Sequence, residues 1–148
     1  MRRIAPRTVA MAVGGAVLAA IFSGSAASAV SWGSVTSSYD GKSRSTAHGD
    51  FYNSGNVYAK NKILSKDLAA DGNTIYTEGH WYFNDAAGHE VIGLNTPEHN
   101  HTYYVTNYKQ TELEAAASSV RGGTRACVQL GWPVPDHCSA QALPSFSY

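Results

Sequence analysis

The chain has 148 residues and a mass of 15.8 kDa, with 11 basic and 11 acidic side chains. That length holds one domain and excludes a multidomain enzyme or a long repeat array. Hydrophobic content of 43% against 15% charged residues excludes a disordered acidic or basic tail.

Residues 1–29 read as a secretory signal peptide. Arg2, Arg3 and Arg7 form the positive start, Val9 to Phe22 an uncharged apolar run, and Ala27-Ser28-Ala29 a small-x-small cleavage site. The apolar run is too short for the roughly 20 residues of a spanning helix. Cleavage leaves 30–148 as a single secreted domain of 119 residues, with eight bases against eleven acids. A net-acidic chain speaks against nucleic acid as partner. No second apolar segment follows, so no membrane span is expected in the mature protein.

All nine tyrosines and all three tryptophans follow residue 30, and Gly and Asn punctuate the runs between them. This is a strand-forming composition. Trp32 to Tyr39 and Ser43 to Tyr52 flank Asp40-Gly41, a hairpin turn signal. Asn56 to Ser65 alternates Val57, Ala59 and Ile63 with Lys60 and Lys62. Asp71-Gly72-Asn73 predicts a second hairpin leading into the clearest strand, Thr74 to Asn84. There Ile75, Thr77, Gly79, Trp81 and Phe83 face one way and Tyr76, Glu78, His80 and Tyr82 the other. Shorter strands are expected at Gly88 to Leu94, Thr102 to Gln110 and Arg125 to Leu130.

Thr111 to Val120 can be read two ways. Thr111-x-x-Glu114 is a capping-box pattern ahead of three alanines, which permits a short helix. Its apolar face is thin, and we read the segment as partly extended chain leading to Cys127. Cys127 and Cys138, an even pair in an exported chain, are expected to form a disulfide after a turn forced by Pro133 and Pro135. The fold class is therefore all-β: a small antiparallel sandwich or open barrel with one disulfide.

Chemistry-bearing clusters are few. His99 and His101, two apart, could face one metal with His89, Glu90 or His80 as a third ligand, and the His89, His99 and His101 set is the basis for a metal-dependent hydrolase. The segment resembles part of the cupin histidine motif, but Val105 stands where a carboxylate ligand is wanted. No nucleophile elbow occurs, and no pair of acids stands out. No catalytic residue, metal or cofactor is expected. Tyrosine is abundant, and it suits protein interfaces and sugar-binding faces, where the ring is covered while the hydroxyl stays wet. The expected mode is a strand edge or tyrosine-bearing face, with Trp32, Tyr39, Tyr103 and Tyr104 as binding residues and a secreted protein, or a glycan, as partner. A rival reading makes Gly131 to His137, tethered and proline-braced, the loop of an inhibitor of secreted proteases.

The stretch Arg121-Gly122-Gly123-Thr124-Arg125-Ala126-Cys127, continuing through Trp132-Pro133-Val134-Pro135-Asp136-His137 to Cys138-Ser139, resembles the closing motif of small secreted actinobacterial β proteins. In size, export and β character the chain is also similar to the small adaptor subunit of umbrella toxin particles. That resemblance implies a non-catalytic bridge in an extracellular interbacterial toxin complex. It makes Val30 to Tyr39 an insertion strand for a partner.

Overall fold

Strand Tyr58–Asp67 buries every second side chain, Ala59, Asn61, Ile63, Ser65 and Asp67, and strand Ile75–Phe83 buries Ile75, Thr77, Gly79, Trp81 and Phe83. Two strands with one buried face each are satisfied by packing face to face. The computed structural model describes residues 29–91 and 93–148. The signal peptide expected at 1–29 thus lies, apart from Ala29, outside the described residues.

In chain order the strands are β1 Val30–Ser31, β2 Val35–Tyr39, β3 Lys42–Ser54, β4 Tyr58–Asp67, β5 Ile75–Phe83, β6 Glu90–Val91, β7 Val105–Glu112, β8 Ser119–Val128, β9 His137–Cys138 and β10 Ser145–Ser147. They form two antiparallel sheets, a sandwich and not a closed barrel. Sheet A runs β1-β3-β4-β7, with β2 also on β3. Sheet B runs β10-β8-β5-β6, with β9 also on β8. Among the described residues no helix is long and apolar enough to cross a membrane.

The Asp40-Gly41 hairpin forms as expected. Both residues have positive φ, 52° and 69°, which matches the twist of the strands they join. A second hairpin joins β3 to β4 through Gly55-Asn56, also both at positive φ, closed by Val57 N–H to Ser54 O at 3.3 Å. The hairpin expected at Asp71-Gly72-Asn73 does not form. β4 pairs with β3 and β7, whereas β5 pairs with β8 and β6 in the other sheet. The two strands share the same amphipathic alternation, and crossing the sandwich lets their apolar faces cover each other. The loop between them is built from local turns: Asp67 Oδ1 accepts Ala69 N–H, Asp71 Oδ1 accepts Asn73 N–H, and Arg44 pairs with Asp71.

The helix considered over 111–120 is absent. Thr111 and Glu112 continue β7, a turn closes with Ala117 N–H on Glu114 O, and Ser119 opens β8. Leu113 and Ala117 pack on the core from this turn, so the thin apolar face is used without helical backbone.

The core joins Ala47, Phe51, Ala59, Ile63, Trp81, Phe83, Val120 and Ala126. Trp32, expected on a binding surface, is part of it. Only 9% of Trp32 is exposed, its N–H bonds Gly49 O, and its Nε1–H donates to Asn61 Oδ1 at 3.0 Å. Nor is Val30 to Tyr39 a free insertion strand, since β1 and β2 are already zipped onto β3.

Asn61 links three parts of the molecule. It is fully buried, accepts from Trp32, and donates through Nδ2 to Thr124 Oγ1 of sheet B at 2.7 Å. Removing it strands a buried indole N–H and a buried hydroxyl, each a desolvated group without its partner. Asn61→Ala is expected to lose about 3 kcal/mol. Urea denaturation of the two proteins measures it, and an unchanged midpoint would refute the bridging role.

Candidate functional site

The strand registers bring four loops to one end of the sandwich. Tyr39 lies beside Lys42 at the end of β3, Asp67 closes β4 opposite Ser45, and Ile75 of β5 lies opposite Val128 of β8. The Asp40-Gly41 turn and the loops 68–74, 97–104 and 129–137 therefore share this end. They carry Tyr39, Leu68, Tyr103, Tyr104, Trp132 and Val134, all large apolar side chains at least 37% exposed. Loop clusters held by a rigid sandwich are a common place for recognition.

The 129–137 loop is pinned at its base and flank. Cys127 and Cys138 face each other across β8 and β9 and are disulfide-bonded. Gln129 N–H donates to Thr74 O at 2.9 Å, Gln129 Oε1 accepts Thr74 Oγ1–H at 2.8 Å, and Gln129 Nε2–H donates to Glu98 Oε1 at 3.3 Å. A turn closes with Val134 N–H on Gly131 O, Gly131 lying at φ 77°. Tyr76 Oη–H donates to Asp136 Oδ2 at 2.9 Å. Burial, then that bond and the Asp136 charge, push the Tyr76 phenol up to about 12, so it remains a donor at any physiological pH. The His137 ring lies 6.0 Å from that of Tyr39. From this frame Trp132 projects with 96% of its surface exposed, and Val134 with 40%.

The neighbouring loop is ordered by stacked rings. His99 bonds Ile75 through both backbone groups, at 2.8 and 3.0 Å. Its ring stacks on His101 at 5.6 Å, and His101 on Tyr103 at 4.7 Å. Tyr104 turns edge-on to His48 at 4.7 Å, with Lys66 Nζ 4.8 Å from its ring. His99 Nδ1 accepts His101 N–H at 3.3 Å, so the neutral ring carries its proton on Nε2 and donates to Ser65 Oγ at 3.0 Å. Burial, then the neighbouring His101, lower the His99 pKa below 6.5.

The sign of the pH effect follows from that direction. Above 6.5 His99 is neutral in both folded and unfolded chains, and its contribution to stability is complete. As pH falls below 6.5 the unfolded chain takes up a proton that the folded chain refuses, so stability declines until the folded pKa is passed. The melting temperature is expected to fall between pH 7.5 and pH 5, and less steeply in His99→Gln. Parallel slopes for the two proteins would remove His99 as the cause.

The metal triad considered for His89, His99 and His101 is not assembled. His89 O accepts Phe83 N–H at one end of β5, and His99 bonds Ile75 at the other. Those ends are about 26 Å apart at 3.3 Å per residue. His89 instead pairs with Glu114 at 2.9 Å, and its ring lies 5.8 Å from Phe83. Among the described residues, the cluster of potential ligands is Glu78, Cys127 and Cys138, whose sulfurs are bonded to each other and offer no thiolate. Glu78 is itself engaged by Arg125 and by His80, at 2.8 and 2.7 Å.

No family model matches the chain, and no curated protein matches its sequence. The site therefore rests on its own geometry. Of the four expected binding residues, Tyr39, Tyr103 and Tyr104 come to the same end and Trp32 does not. Trp132 was not among them. Its signal is in the sequence: an indole between Gly131 and Pro133, inside a loop closed by cysteines 11 positions apart, has too little chain around it to be buried.

Proposed function

We propose that this chain is a secreted, non-catalytic binding protein that seats Trp132 in a pocket of a protein partner. The observation that carries this reading is a fully exposed indole on a loop fixed by a disulfide and side-chain hydrogen bonds. Pre-organisation spares the ordering cost of binding, and tryptophan is enriched among residues that dominate interfaces. Tyr39, Tyr103 and Val134 supply further contact area around it. The disulfide fits an oxidising compartment, in keeping with the export signal. Support for the non-catalytic part is that His80, His89 and His99 are all engaged in structural contacts.

Similarity in size, export and β character to the small adaptor subunit of umbrella toxin particles makes the specific form of this reading an adaptor subunit in an extracellular interbacterial toxin complex. The edge of β7 is a poorer docking site than the loop end. On that edge strand Lys109 points toward the sandwich side while Tyr108 points out, and an inward charge on an edge strand discourages pairing with another chain.

Size-exclusion chromatography of native culture supernatant, with mass spectrometry of each fraction holding this protein, tests the proposal. Elution with specific partner chains, lost on Trp132→Ala, is the expected result. A partner that is a protease silenced by the complex would make the 129–137 loop an inhibitor loop instead. Elution as a free monomer would overturn the adaptor reading.

A further inference from the structure

We propose that the outer face of sheet A binds an acidic polysaccharide, independently of the Trp132 loop. Along β4 the inward set is buried, so Lys60, Lys62, Leu64 and Lys66 lie on the outer face. Three of the chain's five lysines thus stand in one column on a central strand. Successive positions are about 7 Å and about 14 Å apart along the strand. Among the described residues none of these lysines takes part in an ion pair, although Asp50 is directly opposite Lys62. Instead Lys60 Nζ lies 5.0 Å from the ring of Tyr108, and Lys66 Nζ 4.8 Å from that of Tyr104. Both rings are largely exposed, at 53% and 42%.

The face is therefore a stripe of cations outside any ion pair, beside aromatic rings and two acids, on a domain whose residues 30–148 are net acidic. Charge complementarity selects an extended anion with widely spaced charges. A densely charged polyphosphate or nucleic acid would need more cations than three and would meet Asp50 and Glu112 on the same face. A chain of uronic acids fits better. Carboxylates reach the lysines, flat sugar faces lie on Tyr104 and Tyr108, and sugar hydroxyls donate to Asp50.

The test is retention of the mature protein on immobilised polygalacturonate, with fully methyl-esterified pectin and polyphosphate as comparison columns. Retention at about 20 mM salt that falls steeply by about 200 mM is expected, with none on the neutral ester. The triple variant Lys60→Gln, Lys62→Gln, Lys66→Gln should lose at least about tenfold in affinity while keeping the parent melting temperature, since all three side chains lie on the solvent side of the sheet. Tyr108→Ala should lose several-fold, and Trp132→Ala should bind normally. The last result separates this face from the loop-end reading, because either can fail alone. Absence of retention at low salt, or equal retention of the triple variant, would overturn the proposal. So would polyphosphate binding as tight as polygalacturonate with no effect of Tyr108→Ala, which is ion exchange by charge alone.

Discussion

Gly49→Ala is expected to destabilise the fold by at least about 3 kcal/mol, the largest effect of an added methyl at any glycine among the described residues. Gly49 lies inside β3, opposite Ile63 of β4. A Cβ built there falls 1.8 Å from the backbone oxygen of Lys62 and 3.0 Å from Trp32 Cζ2. The first obstacle is backbone, so no rotamer change relieves it. β3 cannot retreat either, because β4 holds one side, β1 and β2 hold the other, and Gly49 O accepts the Trp32 N–H. Relief requires breaking β3–β4 pairing at its centre. Gly79→Ala and Gly122→Ala give the scale, since there the nearest atoms to the new carbon are ring atoms of Trp81 and Phe51, both at 3.1 Å. Those two should cost about 1–2 kcal/mol each. Urea midpoints of the three variants check the order, and a Gly49→Ala protein as stable as the other two would show that β3 and β4 separate more easily than their pairing implies.

Trp132→Ala is expected to weaken the partner complex by about a hundredfold while leaving stability within about 0.5 kcal/mol. The indole touches little of its own chain, so its loss removes almost nothing from the folded state. If it fills a partner's pocket, truncation forfeits a buried aromatic anchor, a loss of at least about 2 kcal/mol. Val134→Ser, at the shoulder of the same loop, should cost about tenfold or less. Calorimetric titration of each variant with the co-purified partner, beside a thermal melt, separates the two roles. A lower melting temperature with unchanged affinity would place Trp132 in the fold and not in recognition.

How much of this was legible in the sequence depended on whether the cause was local. Alternation along Ile75 to Phe83 gave the buried face correctly because a strand fixes which side each residue takes. Asp40-Gly41 gave its hairpin because both residues tolerate positive φ. Asp71-Gly72-Asn73 has equally good turn chemistry, yet a turn does not say whether the next strand pairs beside the last or crosses over. That choice was made by β7 and β8, which begin 32 and 46 residues after Asn73. Trp32 shows the same limit in a single side chain. Its neighbours Ser31 and Gly33 are polar and small, and Asn61 and Gly49, brought in by other strands, help make a buried place for it. The tyrosines at 39, 103 and 104 were found because composition alone marks them. Their gathering at one end, with Trp132, is a property of the registers.

The pairing of β5 also governs the order in which the molecule can be completed as it emerges from its amino-terminal end. β2, β3 and β4 are consecutive and joined by tight turns, so most of sheet A can close as soon as Asp67 is available. β5 has no early neighbour. Its inner partner β8 starts at Ser119, and the outer segments that bond it follow Phe83. Until then β5 has no complete sheet around it, and the ring of Phe51, which faces Gly122 of β8 and Phe146 of β10, has no covering layer. A growing chain of this protein therefore waits with half a sandwich and an open apolar face, vulnerable to misassociation. Any cut that removes β8 leaves that state permanent.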